Sequence, residues 1–105
     1  MGEQTAKFSV GQLIQNRLFG YRGVIIDIDP EFHGSDDWYQ NVARSKPPKD
    51  RPWYHVLVDG QTHTTYVAER HLTDADSAAP IRHPLVDELF YEFENGRYTH
   101  RLTQN

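Results

Sequence analysis

Six histidines, at positions 33, 55, 63, 71, 83 and 100, and the aspartates Asp27 and Asp29 are the side chains here best suited to metal or acid/base chemistry. Asp27 and Asp29 lie two residues apart, which on a strand places both carboxylates on one face. His55 and His63 flank a predicted hairpin and approach each other across it if the register allows. Neither pattern develops further. There is no HExxH and no close His-x-His pair, and His55 follows Trp53-Tyr54 within a strand, so the histidines read as surface or hydrogen-bonded residues. In plain alternation Val24, Ile26 and Ile28 share a face with neither aspartate whereas Ile25 does, so the acidic pair marks the rim of the strand and its turn at Pro30. Nucleophile-elbow, P-loop and dinucleotide fingerprints are missing, and Gly20 and Gly23 are too sparse to cradle a phosphate. The chain holds no cysteine, which excludes disulfides, thiolate zinc sites and a cysteine nucleophile. The expectation is a non-enzyme with no catalytic residue, no metal and no cofactor.

Binding offers more. Arg44, Lys46, Lys49 and Arg51, interrupted by Asp50, form the one basic cluster suited to phosphates, with a solvated loop as its plain alternative. The net charge of −4 and a pI near 5.8 oppose strong, sequence-independent affinity for duplex DNA, which rests on cations displacing counterions. Trp53, Tyr54 and Tyr66 serve as core or as a stacking platform. Alternation puts Tyr54 with Val56 and Val58, and Trp53 with His55 and Leu57. Core is the favoured role for the group, and Trp53 is the better interface candidate of the two, a candidate partner or DNA contact beside the four cations.

The elements that must position these residues are mostly strands. Phe8 to Arg17 alternates imperfectly, and Gly20 and Gly23 suit a bend or bulge into the β-branched run Val24-Ile25-Ile26, which Asp29-Pro30 stops. Trp53 to Asp59 alternates and turns at Asp59-Gly60 into the return strand Thr64 to Glu69. The 23 residues from Pro30 to Pro52 read as an elaborated loop. Asp36 or Asp37 caps a short helix there, over Trp38 to Ala43, with Trp38 and Tyr39 folding back onto the sheet. A linker follows at 73–80. Leu85, Val86, Leu89, Phe90 and Phe93 then fall at helical spacing behind Pro84, before Gly96. This stripe must be covered by the same chain or by a second copy, so Leu85, Leu89, Phe90 and Phe93 are candidate interface residues of a homo-oligomer. The tail from Arg97 carries Tyr98 and is expected to be partly mobile. A chain of 105 residues suits one domain, with a barrel core at about 7–72 and a C-terminal helix and tail at 81–105. No apolar run reaches the length of a membrane span and the N-terminus has no leader pattern, so a cytoplasmic protein without membrane partners is expected.

The order Phe8-x-Val10-Gly11-Gln12, Gly20-x-x-Gly23-Val24-Ile25-x-Asp27-x-Asp29-Pro30, Pro52-Trp53-Tyr54-His55-Val56 and Thr65-Tyr66-Val67-Ala68-Glu69 resembles the YccV-like family. That family is labelled hemimethylated DNA-binding and includes heat shock proteins of the HspQ type; the likeness covers roughly Lys7 to Leu72. It implies a mainly β, small SH3-like barrel with a long inter-strand loop, to which the reading above adds a short C-terminal helix. It also implies one of two functions. The first is a stress factor that promotes degradation of denatured or regulatory proteins by an ATP-dependent protease such as Lon. The second is a module recognising duplex DNA methylated on one strand.

Overall fold

The β-branched run after Gly23 and the alternating run after Pro52 become the two longest strands of the main sheet, because their residues suit a pleated surface buried on both sides. The computed structural model describes residues 5–43 and 45–101. In chain order its elements are β1 (Leu13–Asn16), β2 (Arg22–Asp29), α1 (Asp36–Asn41), β3 (Trp53–Val58), β4 (Thr64–Ala68), a 3-10 turn (Glu69–His71), β5 (Leu72–Asp74), α2 (Val86–Leu89), β6 (Phe90–Glu94) and β7 (Arg97–His100). Five strands form one antiparallel sheet in the order β4-β3-β2-β1-β5, and β6 pairs with β7 in a separate hairpin. The protein is mainly β. Strands β4 and β5 are opposite edges of the sheet, yet only Glu69–His71 lies between them in the chain. That link spans at most ~14 Å, so the sheet must curl on itself. It stops short of a closed barrel, since no pairing joins β4 to β5.

Register decides what each face buries. On the concave side Ile14, Ile25, Tyr54, Val56, Val67 and Leu72 form one core cluster, with Phe8 and Tyr21 packed against it. The outer face is roofed at both ends. Leu13, Val24 and Leu57 pack beneath Ile81, Phe90 and Tyr98, while Trp53 and Ala68 pack with Tyr39, Phe32 and Trp38. Trp53 is therefore 1% exposed, a core residue and not the exposed interface candidate; the alternation holds, but the insertion covers the face it points to. A bulge between Ile25 and Asp27 also shifts the register, placing Asp27 opposite His55 where Ile25 is opposite Val56. The aspartates consequently lie on the face opposite Ile25, not with it.

Several expected boundaries move. Strand β1 begins only at Leu13, because Gly11 at φ +91° breaks the run from Phe8. The first residues assigned to the linker, Thr73 and Asp74, instead pair with β1 together with Leu72. The Arg22 guanidinium fixes the segment beyond them, donating to the carbonyls of Ser77 and Ala79 at 2.9 and 3.0 Å. The C-terminal helix ends at Leu89, and the rest of its expected length is strand β6. Asn95 and Gly96, both at positive φ, form the turn that brings Arg97–His100 back as β7. Asn-Gly between β-prone runs is a hairpin signal, and here it overrides the helical spacing. Of the candidate interface residues, Phe90 is 3% exposed, and Leu85, Leu89 and Phe93 pack partly buried on the same internal cluster. The stripe is covered by its own chain, which removes the ground it offered for an oligomer interface. Tyr98, expected in a mobile tail, is buried in β7. No helix among the described residues is long and apolar enough to cross a membrane.

Candidate functional site

Two loops and one sheet edge build a concave surface among the described residues. The first loop follows β1. Asn16, 3% exposed, accepts hydrogen bonds at Oδ1 from the backbone N–H groups of Leu18 and Phe19 at 2.8 and 2.9 Å. Its carbonyl accepts from Gly20 N–H at 2.8 Å. An asparagine organising the backbone just beyond itself is an Asx-type turn, and Gly20 at φ +79° completes it. The apolar side chains within this turn have no core to enter, so Leu18 is 57% and Phe19 78% exposed. Asn16 Nδ2 also donates to Tyr21 Oη at 3.1 Å, and Tyr21 Oη shares a hydrogen bond with Thr65 Oγ1 at 2.9 Å. The corner is thereby tied to β4.

The second loop is the insertion. Ser35 caps α1, accepting from Trp38 N–H at 3.1 Å, so the cap is Ser35 and the expected Asp36 and Asp37 occupy the first turn. Tyr39 Oη donates to Pro47 O at 2.6 Å, and Trp53 Nε1 donates to Pro48 O at 3.1 Å. These bonds and the rings of Phe32, Trp38, Tyr39, Trp53 and Tyr66 hold the loop down. Val42 remains 56% exposed just past the helix.

The basic cluster is largely occupied by this packing. Lys46 Nζ donates to the carbonyls of Tyr39 and Gln40 at 3.3 and 2.8 Å, satisfying the end of α1. Lys49 Nζ lies 3.3 Å from Asp36 and 4.3 Å from the Tyr39 ring centroid. Arg51 is exposed, and Arg44 lies outside the described residues. Trp53 is buried beneath the loop, so it shares no exposed surface with Lys46, Lys49 and Arg51.

A cavity of about 780 Å³ instead opens between the two loops and β4. Thr64, Thr65, Tyr66, Val67 and Ala68 all line it. Since successive residues point to opposite faces, the cavity must abut the unpaired edge of β4. Three of the four large hydrophobics exposed among the described residues, Leu18, Phe19 and Val42, surround it. Such clustering distinguishes a docking surface from scattered surface apolar residues. None of the three was singled out from sequence, although two bulky apolar residues ahead of a turn glycine were the available signal.

Of the residues that first suggested chemistry, His55 and His71 line the cavity, and His55 lies beside Asp29 and Tyr66. Across the hairpin His55 faces Tyr66, not His63. Tyr66 Oη accepts from His33 N–H at 3.0 Å and donates to Asp29 Oδ2 at 2.6 Å, while His55 Nε2 lies 3.2 Å from the same oxygen. Burial alone would raise the Asp29 pKa, but the hydrogen bonds from Tyr66 and His55 and the charges of His55 and His33 outweigh it and hold the carboxyl below its ordinary range. Burial, then the Asp29 hydrogen bond, pushes the Tyr66 phenol up. Asp29 is thus an ionised acceptor at neutral pH, which suits it to a structural bond more than to general acid chemistry. Asp27, Asp29 and His55 bring ligand atoms within 4.8 Å of one another, a grouping that a cation could bridge. Hydrogen bonds already account for it: Asp29 serves Tyr66 and His55, and Asp27 Oδ1 accepts from Ile28 N–H at 2.9 Å.

Residues 6–97 match the family described as hemimethylated DNA-binding protein YccV like. The chain belongs to that family.

Proposed function

We propose that this YccV-like protein is a non-enzymatic adaptor of the HspQ type, which holds unfolded or regulatory polypeptides for an ATP-dependent protease such as Lon. The observation carrying this reading is the unpaired edge of β4 facing a cavity rimmed by exposed Leu18, Phe19 and Val42. An edge strand offers main-chain hydrogen bonds to any extended segment, and apolar neighbours reward the side chains that unfolding exposes. Neither feature requires a particular client sequence, which suits an adaptor for denatured proteins. The test is degradation of a denatured substrate by such a protease with and without this protein. Faster turnover is expected, with most of the gain lost in Phe19→Ser; unchanged turnover at saturating protein overturns the proposal.

A second reading, recognition of DNA methylated on one strand, is supported by the family's description. Burying one methyl group is worth roughly 0.8 kcal/mol, about fourfold in affinity, so selectivity would need further base contacts. The cations available to it are Arg44, Lys46, Lys49 and Arg51, and Lys46 and Lys49 are already engaged within the loop. This reading predicts salt-sensitive duplex binding that favours the hemimethylated form and falls when those four become alanine. Equal, weak binding to unmethylated, hemimethylated and fully methylated duplexes would sink it.

A further inference from the structure

The two ends of the β4 cavity are chemically different. Strand β4 runs from Thr64 to Ala68, and at its far end the chain turns through Glu69–His71 toward β5, which pairs with β1 on the opposite side of the curled sheet. The His71 carbonyl accepts from Arg17 N–H at 2.7 Å, so this turn is fastened to the end of β1. A segment laid along the open edge of β4 therefore runs into a wall at the His71 end.

That wall is cationic. His71 lines the cavity and its Nε2 lies 2.9 Å from Ser45 Oγ. The Arg70 guanidinium donates to Ser45 O at 2.9 Å, which places its charge at the same corner. Burial, then the charges of Arg70 and Arg17, hold the His71 imidazole below its ordinary pKa, so both guanidinium charges are felt there. The adjacent Glu69 side chain is turned to Tyr54 Oη and Lys7 N–H, both of which it accepts from. An apolar trough blocked at one end by positive charge fits a chain that stops there.

We infer that the β4 cavity binds the extended C-terminus of a partner polypeptide, with apolar residues beside Leu18, Phe19 and Val42 and the terminal carboxylate against Arg17, Arg70 and His71. This inference rests on the peptide-binding reading above and adds which part of the client is held. Both the carboxylate and the two arginines are ionised at neutral pH, so the contact is a charge-assisted one.

The test uses the full chain and a short fluorescein-labelled peptide of alternating threonine and valine ending in leucine, followed by fluorescence anisotropy. Three versions are compared: free C-terminal acid, C-terminal amide, and an amide with an internal aspartate. The free acid is expected to bind at least about tenfold more tightly than either amide. Arg70→Gln and Arg17→Gln should lower it to the level of the amide without changing the amide's own affinity. Equal binding of acid and plain amide, or no effect of the arginine variants, overturns this inference and leaves the adaptor reading standing. Equal binding of acid and internal aspartate overturns the assignment to a chain end. Failure of every peptide to bind overturns both.

Discussion

Tyr66 on β4 donates its phenolic proton to Asp29 on β2 at 2.6 Å, reaching across β3, whose His55 lies 3.2 Å from the same carboxylate oxygen. Three successive strands are thus tied side chain to side chain where the insertion leaves the sheet. Tyr66→Phe and Asp29→Asn should each destabilise the protein by about 1–3 kcal/mol. The double variant should cost less than the sum by at least about 0.5 kcal/mol, because both remove one shared bond. Urea denaturation of the four proteins checks this, and strict additivity would contradict it.

The same carboxylate shapes acid stability. Its folded pKa lies below the unfolded value of about 3.9, so the unfolded chain binds more protons in that window and stability rises with pH. The contribution is complete above the unfolded pKa and is lost as pH falls through the lower folded value. Asp27, His33 and His55 surround the group. Denaturation free energies from pH 6 to pH 2.5 should fall more steeply for the natural chain than for Asp29→Asn. Parallel curves would show that Asp29 is not linked to acid unfolding.

Burial and exposure make opposite predictions for two aromatics. Trp53→Ala should cost about 3–5 kcal/mol, since it empties the space under the insertion. Phe19→Ser should change stability by no more than about 0.5 kcal/mol, the side chain being 78% exposed. Thermal melts of both variants test the pair. A large loss for Phe19→Ser would mean that it supports the fold and does not serve as a free rim.

Two glycines separate backbone conformation from crowding. Gly11 and Gly60 have φ of +91° and +80°, but a Cβ at Gly11 would lie 1.9 Å from Tyr98 O, whereas one at Gly60 meets nothing within 4 Å. Tyr98 N–H donates to Gly11 O at 2.9 Å, so this close approach carries the β7 hairpin. Gly60→Ala should cost about 1 kcal/mol and Gly11→Ala distinctly more than about 2 kcal/mol, with faster amide exchange in β6 and β7. Equal costs would refute the crowding argument.

The sequence alone determined strands β2, β3 and β4 and the turns that close them. Val24 to Ile28, Trp53 to Val58 and the return at Thr64 carry local signals, alternation and β-branching closed by Asp-Pro or Asp-Gly, that need no distant partner. It also determined the family, because the motifs that carry the resemblance are those framework strands. Tertiary structure decided what covers each face. Alternation correctly separated Trp53 from Tyr54, but only the folded insertion shows that both are buried. The spacing from Leu85 to Phe93 satisfied a helix; Asn95-Gly96 turned its end into a hairpin, and what covers that hairpin, Leu13 and Leu57, lies far away in the chain. The cavity itself arises where the curled sheet fails to close, between residues separated by some fifty positions, Asn16 to Phe19 on one side and Thr64 to Ala68 on the other. Local preferences select elements, whereas burial is a property of pairs of elements, and only the assembled chain supplies the pairs.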